Sequence, residues 1–200
     1  MSDRLCIDME ADRIHPKHRI LRYKEWFLDK ISGQDVVLDI GSNTGVMVEF
    51  LASKAAFVYG IEIVPGHYQE ACKIRQKPNI QYLLGDATVY DYQSLKSVNV
   101  VTLSNVLEHI NNRVEFLCKI RHGVVWKDRS HKRFLIRVPM IDRDWMVLLK
   151  KEHGLEWRLD DTHCTEYTAE SFREEMLQAG LSVDSMDIRF GEIYAVCRAQ

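Results

Sequence analysis

The chain has 200 residues, 46% of them hydrophobic, with 27 Lys+Arg against 29 Asp+Glu and a formal net charge of −2. That apolar fraction excludes a disordered chain, and the near balance of charge excludes a protein whose whole surface is a field for nucleic acid. A chain of this length can bury well over half of its unfolded surface, which one domain with one core satisfies.

Residues 1–32 interleave Arg13, His15, Lys17, His18, Arg19, Arg22 and Lys24 with Tyr23, Trp26 and Phe27. The mixture suits an amphipathic helix, either a lid with its basic side towards an anionic acceptor or a helix packed on the core with its charges in water. Five short runs rich in β-branched residues follow: Val36–Ile40, Phe57–Glu62, Ile80–Leu84, Val98–Leu103 and Phe134–Val138. Such runs read as strands buried on both faces. The stretches of helical period between them predict a parallel sheet with right-handed crossovers, an α/β architecture. Helices are expected over Gly45–Ser53, over Gly66–Gln76, and from the Asn111–Asn112 pair towards Gly123. Residues 139–167 read as a loop-rich insertion.

The last helix is the clearest: Thr168 is a good N-cap, Phe172, Met176 and Leu177 form an apolar face, and Gly180 supplies the stop. Beyond it, Leu181–Ile188 and Glu192–Arg198 are too close for a crossover helix and must pair as an antiparallel hairpin. One domain over 1–200 is expected, with 1–32 as an N-terminal helical cap and 139–167 as a substrate-side insertion. The five cysteines, Cys6, Cys72, Cys118, Cys164 and Cys197, contain no C-x-x-C pair, so neither a disulfide framework nor a zinc site is expected. The N-terminus has no apolar h-region and no run reaches membrane-span length, which makes the cytoplasm the expected compartment.

Val36-Val37-Leu38-Asp39-Ile40-Gly41-Ser42-Asn43-Thr44-Gly45 is the most informative stretch: a strand runs through a glycine-punctuated turn into a helix. Glycine lets the backbone approach a ligand closely, although a tight turn without ligand has the same pattern. Asp39 separates the candidates, because a carboxylate there repels a pyrophosphate but suits an ammonium or sulfonium cation. Glu62 lies 23 residues further on, the interval at which an acidic residue reaches ribose hydroxyls, and Asp86 follows the third strand.

These three acids at successive strand ends resemble the class I S-adenosylmethionine-dependent methyltransferases, over roughly residues 34–198. The resemblance implies a Rossmann-like, doubly wound seven-stranded sheet, mostly parallel, with an antiparallel C-terminal hairpin. It implies S-adenosylmethionine as cofactor and S-adenosylhomocysteine as product. Asp39, Gly41 and Gly45 would form the methionine-side loop, Glu62 would hold the ribose, and Asp86 with Ala87 would flank the adenine. Ser42, Asn43, Ile63, Ser104 and Asn105 complete the implied cofactor set. Asn43 stands where the family usually has glycine, and Asn tolerates the left-handed conformation better than most residues.

After the fourth strand, Ser104-Asn105-Val106-Leu107-Glu108-His109 resembles the small-molecule and O-directed branch of that class, in which L-E-H follows the strand. It lacks the D/N-P-P-Y/F signature of nucleobase amino methylation, so no DNA partner is expected. His109 is a candidate general base on a hydroxyl, or else packs beneath the cofactor while Glu108 braces the loop. Some ubiquinone-type and small-RNA 2′-O-methyltransferases resemble this segment and imply a metal on E-x-x-E-H plus a distant His. Here His163 offers the distant His, but the first Glu is Asn105, and no metal is expected. His163 is the second candidate base.

Substrate choice should lie in 1–32 and 139–167, with Arg137, Trp145 and Tyr167 as substrate-binding candidates. Tryptophans beside paired acids suit a glycan or other polyhydroxylated small molecule, and would equally serve a homodimer contact. The expected function is methyl transfer from S-adenosylmethionine to an oxygen of such an acceptor. An RNA 2′-O-methyltransferase and a catalytically idle partner subunit of the same fold are the alternatives.

Overall fold

The computed structural model describes residues 16–128 and 132–199. Cys6, Arg13 and His15 lie outside them, as do the side chains of Lys17 and His18. Seven strands form one sheet: β1 (Val36–Ile40), β2 (Phe57–Glu62), β3 (Ile80–Leu84), β4 (Val100–Ser104), β5 (Arg133–Pro139), β6 (Leu181–Arg189) and β7 (Glu192–Ala199). Their order is β3-β2-β1-β4-β5-β7-β6, parallel from β3 to β5 and antiparallel at the β5–β7 and β7–β6 pairings. The hairpin turns through Phe190 and Gly191, both with positive φ (50° and 74°), the requirement of the two-residue turn that matches strand twist.

Helices α1 (Lys17–Leu21), α2 (Tyr23–Asp29), α3 (Val46–Leu51), α4 (Pro65–Ile74), α5 (Arg113–Gly123), α6 (Trp145–Glu152) and α7 (Ala169–Gln178) surround the sheet. Successive strand residues point to opposite faces, and the core divides accordingly. Val37, Val58, Val100 and Leu135 pack with Trp26, Phe27, Val48 and Ala71 from α2, α3 and α4. Leu38, Ile61, Val101 and Phe134 pack with Leu117, Ile120, Phe172 and Met176 from α5 and α7. The sheet is therefore doubly wound, as expected. The direction of winding reverses between β1 and β4, and the crevice that this reversal opens at the carboxyl ends of the strands is where α/β sheets place ligands.

Several boundaries differ from the sequence expectation. Val98 stands outside β4, in an isolated bridge to Trp126, and its N–H bonds the Val125 carbonyl at 2.9 Å. The 139–167 segment is less loop-like than expected: it holds a 3-10 turn at Ile141–Arg143 and α6, capped by the Asp144 carboxylate accepting from the Met146 N–H at 2.9 Å. In the N-terminal segment, Trp26 and Phe27 are buried in the core, so α2 packs on the sheet, and Tyr23 is its contribution to the crevice. Thr168 caps α7 as expected, reciprocally with Ser171. No helix among the described residues is long and apolar enough to cross a membrane.

Candidate active site

The crevice has two halves that share Gly41, Asn43 and Asn105. Asp39, Ser42, Ser104, Tyr23 and Arg137 line the first half. Its floor is the turn after β1, where the Gly41 and Ser42 N–H groups both donate to the Ile61 carbonyl at 2.9 Å and tie the turn to β2. A Cβ on Gly41 would stand 2.7 Å from Val106 Cγ2, and one on Gly45 2.5 Å from the Tyr82 hydroxyl, with φ of +74° and +82° respectively. Both positions need glycine for space and for conformation. Asn43 has φ +49°, the left-handed conformation expected of it, and its side-chain oxygen accepts the Thr44 N–H at 2.6 Å.

Asp39 lies beneath this turn, 2% exposed, with the Thr102 hydroxyl donating to it. Burial pushes its carboxyl up to about 7, against the pull of the Thr102 hydrogen bond and with repulsion from Glu62 adding to the rise. A buried acid with no cation partner among the described residues suits a ligand bearing an ammonium group. Ser42 Oγ is also buried and has no hydrogen-bond partner among the described residues.

Glu62, Ile63, Asp86, Ala87 and His109 line the second half. The Glu62 carboxylate bridges the two loops, accepting the Asn43 N–H at 2.6 Å on one oxygen and the Val64 N–H at 2.8 Å on the other. Its remaining lone pairs are those a diol can use. Asp86 accepts both the N–H and the hydroxyl of Thr88 on one oxygen, at 2.8 and 2.7 Å, leaving the second oxygen uncommitted in these bonds. Ile63 is 60% exposed and Val64 42%, an apolar rim beside these acids of the kind a flat heterocycle covers.

His109 ends the 3-10 turn Leu107–His109 and lines this half, and its ring meets that of His163, which lines a further cleft with Lys151, Trp157 and Asp161. The two imidazoles meet edge to face with ring centres 4.9 Å apart. His109 Nδ1 is 3.0 Å from Thr162 Oγ1, whose hydroxyl donates to Asp160 at 2.6 Å; the ring is therefore held with its proton on Nδ1 and its lone pair on Nε2. Burial lowers the His109 pKa, and His163 lowers it further. His163 Nδ1 lies 2.9 Å from Glu166 Oε1, and Glu166 is itself held by the Leu159 N–H at 2.6 Å and by Arg143. Glu108 is fully buried, neither of its carboxylate oxygens has a hydrogen-bond partner among the described residues, and burial pushes it up to about 8.

The substrate-binding candidates separate. Arg137 lines the methionine-side half, but its Nε and Nη2 are each 2.6 Å from a Glu192 oxygen and its guanidinium stacks 4.3 Å over Tyr23. Tyr167 is buried and donates to Glu175 at 2.6 Å, bracing α7. Trp145 is 72% exposed at the start of α6 and lines none of the clefts described above. Sequence reasoning missed Thr102 and Thr162, whereas Glu166 stands out from the sequence as a carboxylate three residues after His163, and it is the one that engages that ring.

The methyltransferase domain family matches residues 12–186, and the chain belongs to that family. A Thermococcus onnurineus protein named probable ribosomal RNA small subunit methyltransferase A is 31% identical over 87 residues, 44% of this chain and 30% of its own length. The chain spans 40% or less of the curated relatives it matches. Among solved structures, the Haloferax volcanii protein crystallised with the Trm112 methyltransferase activator superposes with a TM-score of 0.71 at 16% identity, covering 100% of this chain and 99% of its own. Magnesium protoporphyrin IX methyltransferase of Synechocystis PCC 6803, with bound S-adenosylhomocysteine, gives 0.67 at 17% identity, covering 94% and 85%. The chain thus carries a methyltransferase domain, on the doubly wound seven-stranded fold that it shares with these solved structures.

Proposed function

We propose that the protein transfers the methyl group of S-adenosylmethionine to an oxygen of a small, hydroxyl-rich acceptor such as a sugar. The observation that carries this reading is the meeting of two clefts at the His109–His163 pair. On one side lies the crevice whose acids fit the cofactor, Asp39 for its ammonium, Glu62 for its ribose and Asp86 for its adenine. On the other lies a cleft in which the Lys151 ammonium sits 4.8 Å over the Trp157 ring, leaving Lys151 as a donor and Asp161 as an acceptor to hydroxyl groups. The sulfonium is already activated, so holding the acceptor oxygen in line with the methyl is most of the task. The remainder is the hydroxyl proton, and we place that work at His109 and His163, one lining each cleft with their rings in contact.

Incubating the purified chain with methyl-labelled cofactor and lysate metabolites, and finding the label by mass spectrometry, tests the reading. Label on the oxygen of a small hydroxylated compound is the expected result. Label confined to RNA, retained only at low salt, would move the protein to the RNA 2′-O reading. Transfer appearing only with a co-purified protein would make the chain a partner subunit.

A further inference from the structure

Glu108, His109 and His163 each offer one donor atom to a common point, and these atoms all lie within 4.8 Å of one another. Three details make this a prepared site. First, the Glu108 carboxyl is fully buried with both oxygens unpartnered among the described residues, an arrangement in which the charged form is unfavourable unless a cation meets it. Second, both imidazoles have Nδ1 engaged, one by the Thr162–Asp160 relay and one by Glu166, so each turns Nε2 free as a lone-pair donor. A ring nitrogen anchored by a carboxylate while its partner faces inwards is the arrangement that orients metal-binding histidines and raises their basicity. Third, the site is assembled by backbone bonds: the Cys164 N–H donates to the Glu108 carbonyl at 2.6 Å and the Thr165 N–H at 3.3 Å, bringing His163 beside a turn more than fifty residues earlier in the chain.

We propose that Glu108, His109 and His163 bind one divalent first-row transition ion. Two imidazole nitrogens and one carboxylate favour Mn²⁺, Fe²⁺, Co²⁺ or Zn²⁺; Mg²⁺ and Ca²⁺ would ask for more oxygen. The sequence expectation of no metal rested on Asn105 standing where a first Glu would, and a three-donor site does not use that position. His109 is exposed and lines the cofactor-side half of the crevice, while His163 lines the further cleft, so the site has an entry path.

What the ion does rests on the methyl-transfer reading. An acceptor hydroxyl bound to it becomes more acidic, its proton passes to solvent, and a C–O bond forms as the S–CH₃ bond breaks and the sulfonium leaves as a neutral thioether. The work placed at His109 and His163 in that reading, loss of the hydroxyl proton, is then done through the ion they hold.

The test uses the full chain, stripped with chelator and titrated with Co²⁺ alone, read by its visible absorption, with S-adenosylhomocysteine binding measured in parallel. One Co²⁺ per chain is expected, competed by Zn²⁺. Glu166→Gln, which removes the anchor but no donor, should weaken Co²⁺ by ~10–100-fold. Glu108→Gln and His163→Asn should weaken it further, with S-adenosylhomocysteine binding retained as the check on folding. Glu62→Ala should do the reverse, keeping Co²⁺ and weakening the nucleoside, so failure of the ion site and failure of the cofactor reading are told apart. Absence of stoichiometric Co²⁺, or Co²⁺ bound equally by Glu108→Gln and His163→Asn, would overturn the proposal.

Discussion

At the scale of single residues the chemistry of the crevice is governed by Asp39. Its pairing with Thr102 across the β1–β4 ladder supplies one hydrogen bond, but burial wins and the folded chain holds the proton up to about pH 7. Between the ordinary value of 3.8 and about 7 the folded state keeps a proton that the unfolded state has released, so this group's contribution to stability falls as pH rises through that window. Glu62 is the charged neighbour that adds to the effect. Asp39→Asn removes the titration. The ligand-free variant should therefore gain Tm relative to the wild type at about pH 8 and little at about pH 4, while losing cofactor affinity at both. Thermal scans at the two pH values check this, and a variant that gains nothing at the higher pH would show Asp39 to be an ordinary ionised carboxylate. Asp39 was legible from sequence because its position before the first glycine follows from local order. Thr102 was not, since only the register of two strands 63 residues apart brings it to Asp39.

At the scale of elements, the hairpin does more than close the sheet. β7 lies between β5 and β6, and Glu192 at its start holds Arg137 at the end of β5 with two bonds of 2.6 Å while Tyr194 donates to the same carboxylate at 2.9 Å. All three side chains are buried, so the pair ties β5 to β7 at the wall of the methionine-side crevice. Removing one partner leaves a buried charge unmatched: Glu192→Gln should destabilise by ~3–5 kcal/mol. Tyr194→Phe, which loses one hydrogen bond, should cost about 1 kcal/mol. Urea unfolding of the two variants checks the ranking, and equal effects would mean that the pair is solvated. The hairpin itself was readable in the short gap around Gly191, because no helix fits between the two runs. The role of Arg137 was not readable, because its partner is set by antiparallel register across β5 and β7. Helix α6 escaped for a different reason. Four of its apolar residues, Trp145, Met146, Leu148 and Leu149, remain 40% exposed or more, so its pattern carries no clean buried stripe.

At the scale of the molecule, the two core halves pack on opposite faces of one sheet and the reversal between β1 and β4 opens the crevice at its carboxyl edge. The cofactor half of the site was legible in sequence because its residues follow consecutive strands at short range. All three members of the Glu108, His109 and His163 cluster were named from sequence, through the L-E-H run and the distant His; their meeting was not legible, because it needs the 139–167 segment to fold over the turn. Glu62 stands at the centre of the account, since its carboxylate joins the β1 and β2 loops and faces the place assigned to the ribose. Calorimetric titration of the wild type and Glu62→Ala with S-adenosylhomocysteine and with NAD is the most direct measurement. The expected result is one S-adenosylhomocysteine per wild-type chain, affinity lowered by ~1–3 kcal/mol in Glu62→Ala, and no heat from NAD. Binding of NAD in preference to S-adenosylhomocysteine, or equal affinity in the two proteins, would contradict it.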